Sequence, residues 1–226
     1  MKVFAVIPGF REAGRIQKTI QSVLPYVDSV VVVDDGSDDT TAEEARATGV
    51  TVLRHRVNRG QGAALRTGTE AALRLGADIV LHVDADGQHD PTSIPTVLEP
   101  IRRGEVEVVL GSRFMGEEAK GMPVTRRMLL VAGRTFNAFA VGVPRRVTDP
   151  QSGFRALSAA AARRLDFRQD RFAHCSEILR LVTRGDYRWV EVPVRIIYSA
   201  DSLKKGQKPW DAARIAWQLF IGAFAR

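Results

Sequence analysis

The sequence predicts an α/β protein built on a doubly wound, mostly parallel sheet with flanking helices. Two observations carry that expectation. Short apolar runs such as Val3–Ile7, Val30–Val33 and Ile79–Val83 alternate along the chain with segments whose apolar residues recur at helical spacing. Parallel strands need long crossovers, and helices supply them. The second observation is that most of these runs end in polar, Gly-rich turns. In an open α/β sheet the carboxyl ends of the strands form the ligand-binding rim, so distinctive side chains collect on one edge.

The elements follow in order. Val3–Ile7 ends at Pro8 and Gly9, and Phe10, Arg11 and Glu12 leave its end. Ile16, Ile20, Val23 and Leu24 then mark one face of a helix. Val30–Val33 empties into Asp34 and Asp35, after which Thr40 with Glu43 predicts a capping box. A third strand, Val50–Leu53, is followed by N-R-G-Q-G and a helix from Ala63 to Leu75. Two glycines before a helix can bring amides to a phosphate, or simply make a loop. After the fourth strand come a helix over Ile94–Arg102 and a fifth strand over Val106–Leu110 that ends in G-S-R-F.

Beyond Arg113 the rhythm changes. A polar loop precedes a helical stretch from Arg126 to Val141, and the turn-rich V-T-D-P-Q-S-G-F-R leads to helices over Ala159–Leu165 and Cys175–Thr183. Val190–Tyr198 reads as a strand with Pro193 marking an edge or a break. Residues 1–200 are thus expected to form one domain. Residues 201–226 supply a basic loop and a last helix, containing Ile215, Trp217, Leu219 and Phe220, which either packs on the domain or lies at a membrane surface.

Composition narrows the partners. With 226 residues the chain can bury a full core, and its net charge of +7 favours anionic ligands. It lacks the interleaved basic and aromatic strand pattern of a nucleic-acid binder. No stretch reaches the roughly 18 apolar residues of a membrane span, and the start carries no signal-peptide pattern, so the expected location is cytoplasmic or peripheral on a membrane. The single cysteine, Cys175, excludes an internal disulfide and is expected to be buried packing in a helix.

The fourth strand carries the densest chemistry. Its exit, H-V-D-A-D-G-Q-H, presents Asp84, Asp86, Gln88 and His89 in quick succession. Carboxylates and an amide oxygen suit Mg²⁺ or Mn²⁺ that also bind phosphates, while Asp and Gly equally make an ordinary acidic turn.

The motifs V-I-P-G-F-R-E, V-V-D-D-G-S-D-D-T, N-R-G-Q-G-A-A-L-R-T-G, H-V-D-A-D-G-Q-H, L-G-S-R-F and D-P-Q-S-G-F-R-A, in that order, resemble family 2 glycosyltransferases of the Rossmann-like GT-A fold. Within them the chain is most similar to the dolichyl-phosphate or polyprenyl-phosphate mannosyl- and glucosyltransferase group. The resemblance implies that Pro8, Phe10 and Glu12 contact the nucleotide and that Asp34 and Asp35 hold the base and ribose. It places Asp84 by the nucleotide-sugar, Asp86 and Gln88 on the metal, and Arg113 and Arg127 on the lipid-phosphate acceptor. Asp86, Arg113 and Arg127 are then the catalytic set. The implied reaction is inverting transfer from a nucleotide diphosphate-sugar, GDP-mannose first and UDP-glucose next, to a polyprenyl or dolichyl monophosphate.

Departures from the group matter. Phe10 and Arg11 replace a Tyr-Asn pair, and a basic residue expected near the C-terminus is missing, with Arg195, Lys204 and Lys205 as substitutes. G-D-Y-R-W lacks the Gln of the processive polysaccharide builders. The alternatives are transfer to a hydroxyl, with Asp149, Asp170 or Glu177 as base, and a non-catalytic nucleotide-binding module.

Overall fold

In the computed structural model, residues 1–115, 144, 146–171 and 173–197 are described. They form a seven-stranded sheet in the order β3-β2-β1-β4-β6-β5-β7. The strands are β1 (Val3–Gly9), β2 (Ser29–Asp34), β3 (Thr51–Arg54), β4 (Ile79–His82), β5 (Val108–Ser112), β6 (Arg155–Ser158) and β7 (Trp189–Pro193). The helices are α1 (Ile16–Val23), α2 (Thr41–Arg46), α3 (Gln61–Arg74), α4 (Ile94–Arg102), α5 (Ala159–Arg164) and α6 (His174–Arg184).

β1 and β4 lie in the middle and are buried along their whole length, which is why they read as mostly apolar runs, the one polar side chain, His82, being paired with Thr69. Alternate residues of β1 serve opposite faces. Val3, Ala5 and Ile7 join Ile16 and Ile20 of α1 and Val97, Leu98 and Ile101 of α4 in one core. Phe4 and Val6 join Leu65 of α3, Ala161 of α5 and Ile178 and Val182 of α6 in the other. Helices therefore cover both faces, as a doubly wound sheet requires.

One strand differs from expectation. The stretch read as turn running into helix contains β6, which pairs antiparallel with β4 on one side and β5 on the other. All other strand pairs among the described residues are parallel. β6 wedges apart β4 and β5, so the acidic loop after β4 and the arginine after β5 flank the turn that feeds it.

Local expectations fared unevenly. α4 has the expected bounds, whereas β5 begins two residues later than read and runs on to Ser112. Pro193 ends β7, whose place at the sheet edge tolerates a missing donor. The capping box is not made. Thr40 sits at the N-cap of α2 without a side-chain bond to the backbone, its hydroxyl reaches Glu44 instead, and Asp39 accepts from the Thr41 amide at 3.0 Å.

Candidate active site

The carboxyl ends of β1, β2, β4 and β5 bring the expected site residues to one rim. Pro8 and Gly9 close β1 beside Val33 and Asp34 of β2. Phe10 follows with its ring 39 % exposed, open to a flat ligand, and the Arg11 guanidinium lies over it at 5.2 Å from the ring centroid. Arg11 also grips Asp38 through two hydrogen bonds of 2.7 Å. It holds a φ of +56°, a region where bulky side chains are strained. Glu12 donates its amide to Thr41 and pairs its carboxylate with Arg15.

The acidic pair after β2 is buried and divided in role. Asp34 accepts from the Ser37 amide and pairs with Arg54 at 3.0 Å. Asp35 binds the loop after β3, accepting from His55 Nδ1 at 2.6 Å and from the amides of Arg59 and Gly60 at 3.0 and 2.6 Å. One carboxylate thus fixes the floor of the pocket, and the other lies beside an arginine on its wall.

N-R-G-Q-G does not form a phosphate cradle. The amides of Gly62 and Ala63 donate to the Asp170 carbonyl, and the Gly60 amide is held by Asp35. The loop's contribution is Gln61, whose side-chain amide donates to Asp84 Oδ1 at 2.7 Å.

Asp84 is clasped from three directions. His89 Nε2 stands 3.0 Å from Oδ2 while its ring stacks on Phe154. Gly153 approaches so closely that a Cβ there would lie 2.6 Å from Oδ2. Burial pushes the Asp84 carboxyl up, but the hydrogen bond and charge of His89, with the charges of Arg155 and His174, outweigh it and hold the group at about 2. Gly153→Ala is therefore expected to cost about 1–3 kcal/mol, because the added methyl must displace the carboxylate or the turn. Urea denaturation checks this; an unchanged midpoint would mean the turn yields freely.

Asp86 is exposed, and its carboxylate accepts from the Gln88 amide at 3.0 Å across the tight turn at Gly87. Burial of its surroundings and the Asp84 charge push its carboxyl above the usual range. The Gln88 side chain makes no hydrogen bond among the described residues. One carboxylate and one amide oxygen on an exposed turn fit a hard divalent cation that takes its other ligands from a phosphorylated substrate and water. No group of three His, Cys, Asp or Glu side chains suited to a metal occurs among the described residues.

Across β6 stands Arg113. Its guanidinium makes a two-pronged pair with Asp149, Nε to Oδ2 at 2.6 Å and Nη2 to Oδ1 at 2.7 Å, and its amide joins the same carboxylate. Arg195, whose carbonyl accepts from the Asp90 amide, runs beside the acidic loop, and the Val194 amide before it donates to the Ser112 carbonyl. Arg127, Lys204, Lys205 and the segment 201–226 lie outside the described residues.

Several contributors lie outside the set of residues to which the resemblance gives a role. Gln61, His89 and Gly153 shape Asp84, and the fully buried Arg155 lies behind them, donating to the Gly153 carbonyl and to Cys175 Sγ at 3.4 Å. Gln61, Gly153 and Arg155 belong to the motifs, but Asp84 is remote from them in sequence, whereas His89 lies in the same loop as Asp84. Cys175 is half-buried rather than core packing. Burial raises its thiol, yet His174 at 3.3 Å and Arg155 bring it down to about 6.

The chain is similar to known proteins. Over 97 % of its length the chain is 33 % identical to a UDP-N-acetylglucosamine–dolichyl-phosphate N-acetylglucosaminyltransferase of Methanococcus voltae, covering 95 % of that protein. It is 30 % identical to an undecaprenyl-phosphate mannosyltransferase of Micrococcus luteus, over 87 % of this chain and 84 % of that one. The fold matches Mycobacterium tuberculosis glucosyl-3-phosphoglycerate synthase, solved with Mn²⁺, UDP and its product, with a TM-score of 0.71 at 23 % identity, covering 98 % of this chain and 79 % of that one. The family described as Glycosyl transferase family 2 matches residues 4–169. With its acidic loop at the carboxyl edge of a mixed, mostly parallel sheet, the chain belongs to glycosyl transferase family 2.

Proposed function

We propose that this protein transfers a hexose from a nucleotide diphosphate-sugar to a polyprenyl monophosphate, inverting the anomeric carbon. Phe10 stacks the base, Asp34 and Arg54 meet its polar edge, and Asp84 accepts from sugar hydroxyls. Asp86 and Gln88 would hold Mg²⁺ or Mn²⁺, which when bound neutralises charge on the diphosphate leaving group. The name of the Methanococcus voltae relative supports UDP-N-acetylglucosamine as donor ahead of the GDP-mannose first expected. Arg113, one residue beyond β5, faces the acceptor side with Arg195 close by, and Arg127 is assigned the same phosphate. A guanidinium's forked donors match phosphate oxygens.

The observation that carries the choice of acceptor is the state of the carboxylates that could serve as a base. Asp149 is buried against Arg113, Asp170 is paired with Arg66, and Glu177 accepts from the amides of Arg168 and Gln169. Each is committed elsewhere. A hydroxyl acceptor needs a base, whereas a phosphate monoester with a second pKa near ~6 is already ionised at neutral pH and attacks unaided.

The test is transfer of radiolabel from UDP-N-acetylglucosamine, UDP-glucose and GDP-mannose, with and without Mn²⁺, to polyprenyl phosphate or to the matching polyprenol. Organic-soluble product is expected with the phosphate alone. Product on the alcohol and none on the phosphate would overturn the reading.

On membrane contact, no helix among the described residues is long and apolar enough to cross a bilayer. Residues 201–226, with Lys204, Lys205 and Lys208, are proposed to meet an anionic membrane surface peripherally, at about 1 kcal/mol per basic residue.

A further inference from the structure

We propose that Gln61 is a positioning residue for the donor's sugar. It fixes the Asp84 carboxylate so that its remaining lone pairs meet sugar hydroxyls instead of swinging toward the cation beside Asp86. The inference rests on the donor reading above and extends it to a residue outside the acidic loop.

The Asp84 carboxylate is reached from parts of the chain far apart in sequence. Gln61 Nε2 donates to Oδ1 at 2.7 Å, and His89 Nε2 stands 3.0 Å from Oδ2 with its ring stacked 4.7 Å from that of Phe154. Gly153 leaves no room behind it. An ionised carboxylate offers about four acceptor sites. Gln61 and His89 take one on each oxygen, and the side chain, 30 % exposed, turns the others to the rim.

Gln61 can orient another residue because its own backbone is pinned on both sides. The Gly60 amide donates to Asp35 at 2.6 Å and the Gly62 amide to the Asp170 carbonyl at 2.8 Å. A Cβ at position 60 would lie 2.4 Å from the Asp170 carbonyl oxygen, and one at 62 would lie 2.1 Å from that of Gln169. Those two glycines let the 169–170 segment close on the loop, and the closed loop aims the one side chain between them. His89 comes from Asp84's own loop and would move with it. Gln61 is the anchor from outside.

The chemistry predicts which ligand feels the loss. A carboxylate accepts hydrogen bonds, so the bound Asp84 helps the hydroxyls of the transferred sugar and offers nothing to the diphosphate oxygens, which are acceptors. Removing Gln61 should therefore reduce the gain in affinity that the sugar confers and leave the bare nucleotide untouched.

The experiment is calorimetry in Mn²⁺ of wild type, Gln61→Ala and Gln61→Lys with UDP against UDP-N-acetylglucosamine and UDP-glucose, and GDP against GDP-mannose. For the preferred pair, Gln61→Ala is expected to cut the ratio of the two Kd values about tenfold, the size of one hydrogen bond to a charged group. Bare diphosphate should stay within about twofold, and Gln61→Lys, which keeps a donor within reach, should restore most of the ratio. An unchanged ratio in Gln61→Ala, or equal weakening of both ligands, overturns the role of Gln61. A wild-type ratio of one for every pair overturns the donor reading itself, and the inference with it.

Discussion

Asp86→Asn is expected to lower kcat/KM by about a hundred- to a thousandfold, the loss seen when one electrostatic stabiliser of a leaving group is removed. The substitution keeps the shape of the turn, because an amide oxygen can still accept from the Gln88 amide as Oδ1 does now. What it removes is charge. On the proposed reading the Asp86 carboxylate, beside the half-buried amide of Gln88, would supply the formal charge that binds a hard cation between protein and diphosphate. Asp84 is not free to swing into that role, since Gln61 and His89 each hold one of its oxygens. Nucleotide-sugar affinity should also lose its response to Mn²⁺. Calorimetry with and without the ion decides: a variant whose binding still tightens with Mn²⁺ as wild type does would remove Asp86 from the metal.

The sequence made the rim legible for a physical reason. Strands buried on both faces are mostly apolar, so the place where an apolar run gives way to Asp34, Asp84 or Arg113 marks the carboxyl edge of the sheet, with Asp34 itself the last residue of β2. β6 escaped because it is short and opens with Arg155, which is 1 % exposed. Hydropathy assigns such a residue to the surface, and the Gly153 carbonyl, the thiol of Cys175 and the nearby Asp84 charge explain it inside. The glycines of N-R-G-Q-G were visible, but their reason was not. They admit residues 169–170, more than a hundred positions on, and no local pattern records so remote a contact. The Thr40 and Glu43 spacing misled for the opposite reason. The Thr40 hydroxyl goes to the Glu44 carboxylate, and the helix amide that is capped, that of Thr41, is taken by Asp39.

Arg113→Ala is expected to cost about 3–5 kcal/mol of stability in addition to its effect on the acceptor. The resemblance assigns the arginine to the acceptor phosphate, which implies that its removal raises the acceptor KM or reduces turnover. The structure gives it a second duty. Its side chain is 15 % exposed and that of Asp149 only 1 %, joined by two short bonds, so truncating the arginine strands a buried carboxylate. Nearby Glu191 makes matters worse. Burial already pushes its carboxyl up, the Asp149 charge adds to that, and it offers Asp149 no donor. Removing both partners separates the duties, because replacing a buried pair by apolar groups is often nearly neutral. Arg113→Met with Asp149→Leu should regain most of the stability lost by Arg113→Ala, while acceptor KM stays raised at least tenfold and affinity for the nucleotide-sugar stays near wild type. Denaturation gives the first quantity and steady-state kinetics the second. Wild-type acceptor KM in the double variant would confine Arg113 to holding Asp149. Full stability in Arg113→Ala would show that the buried carboxylate finds another partner.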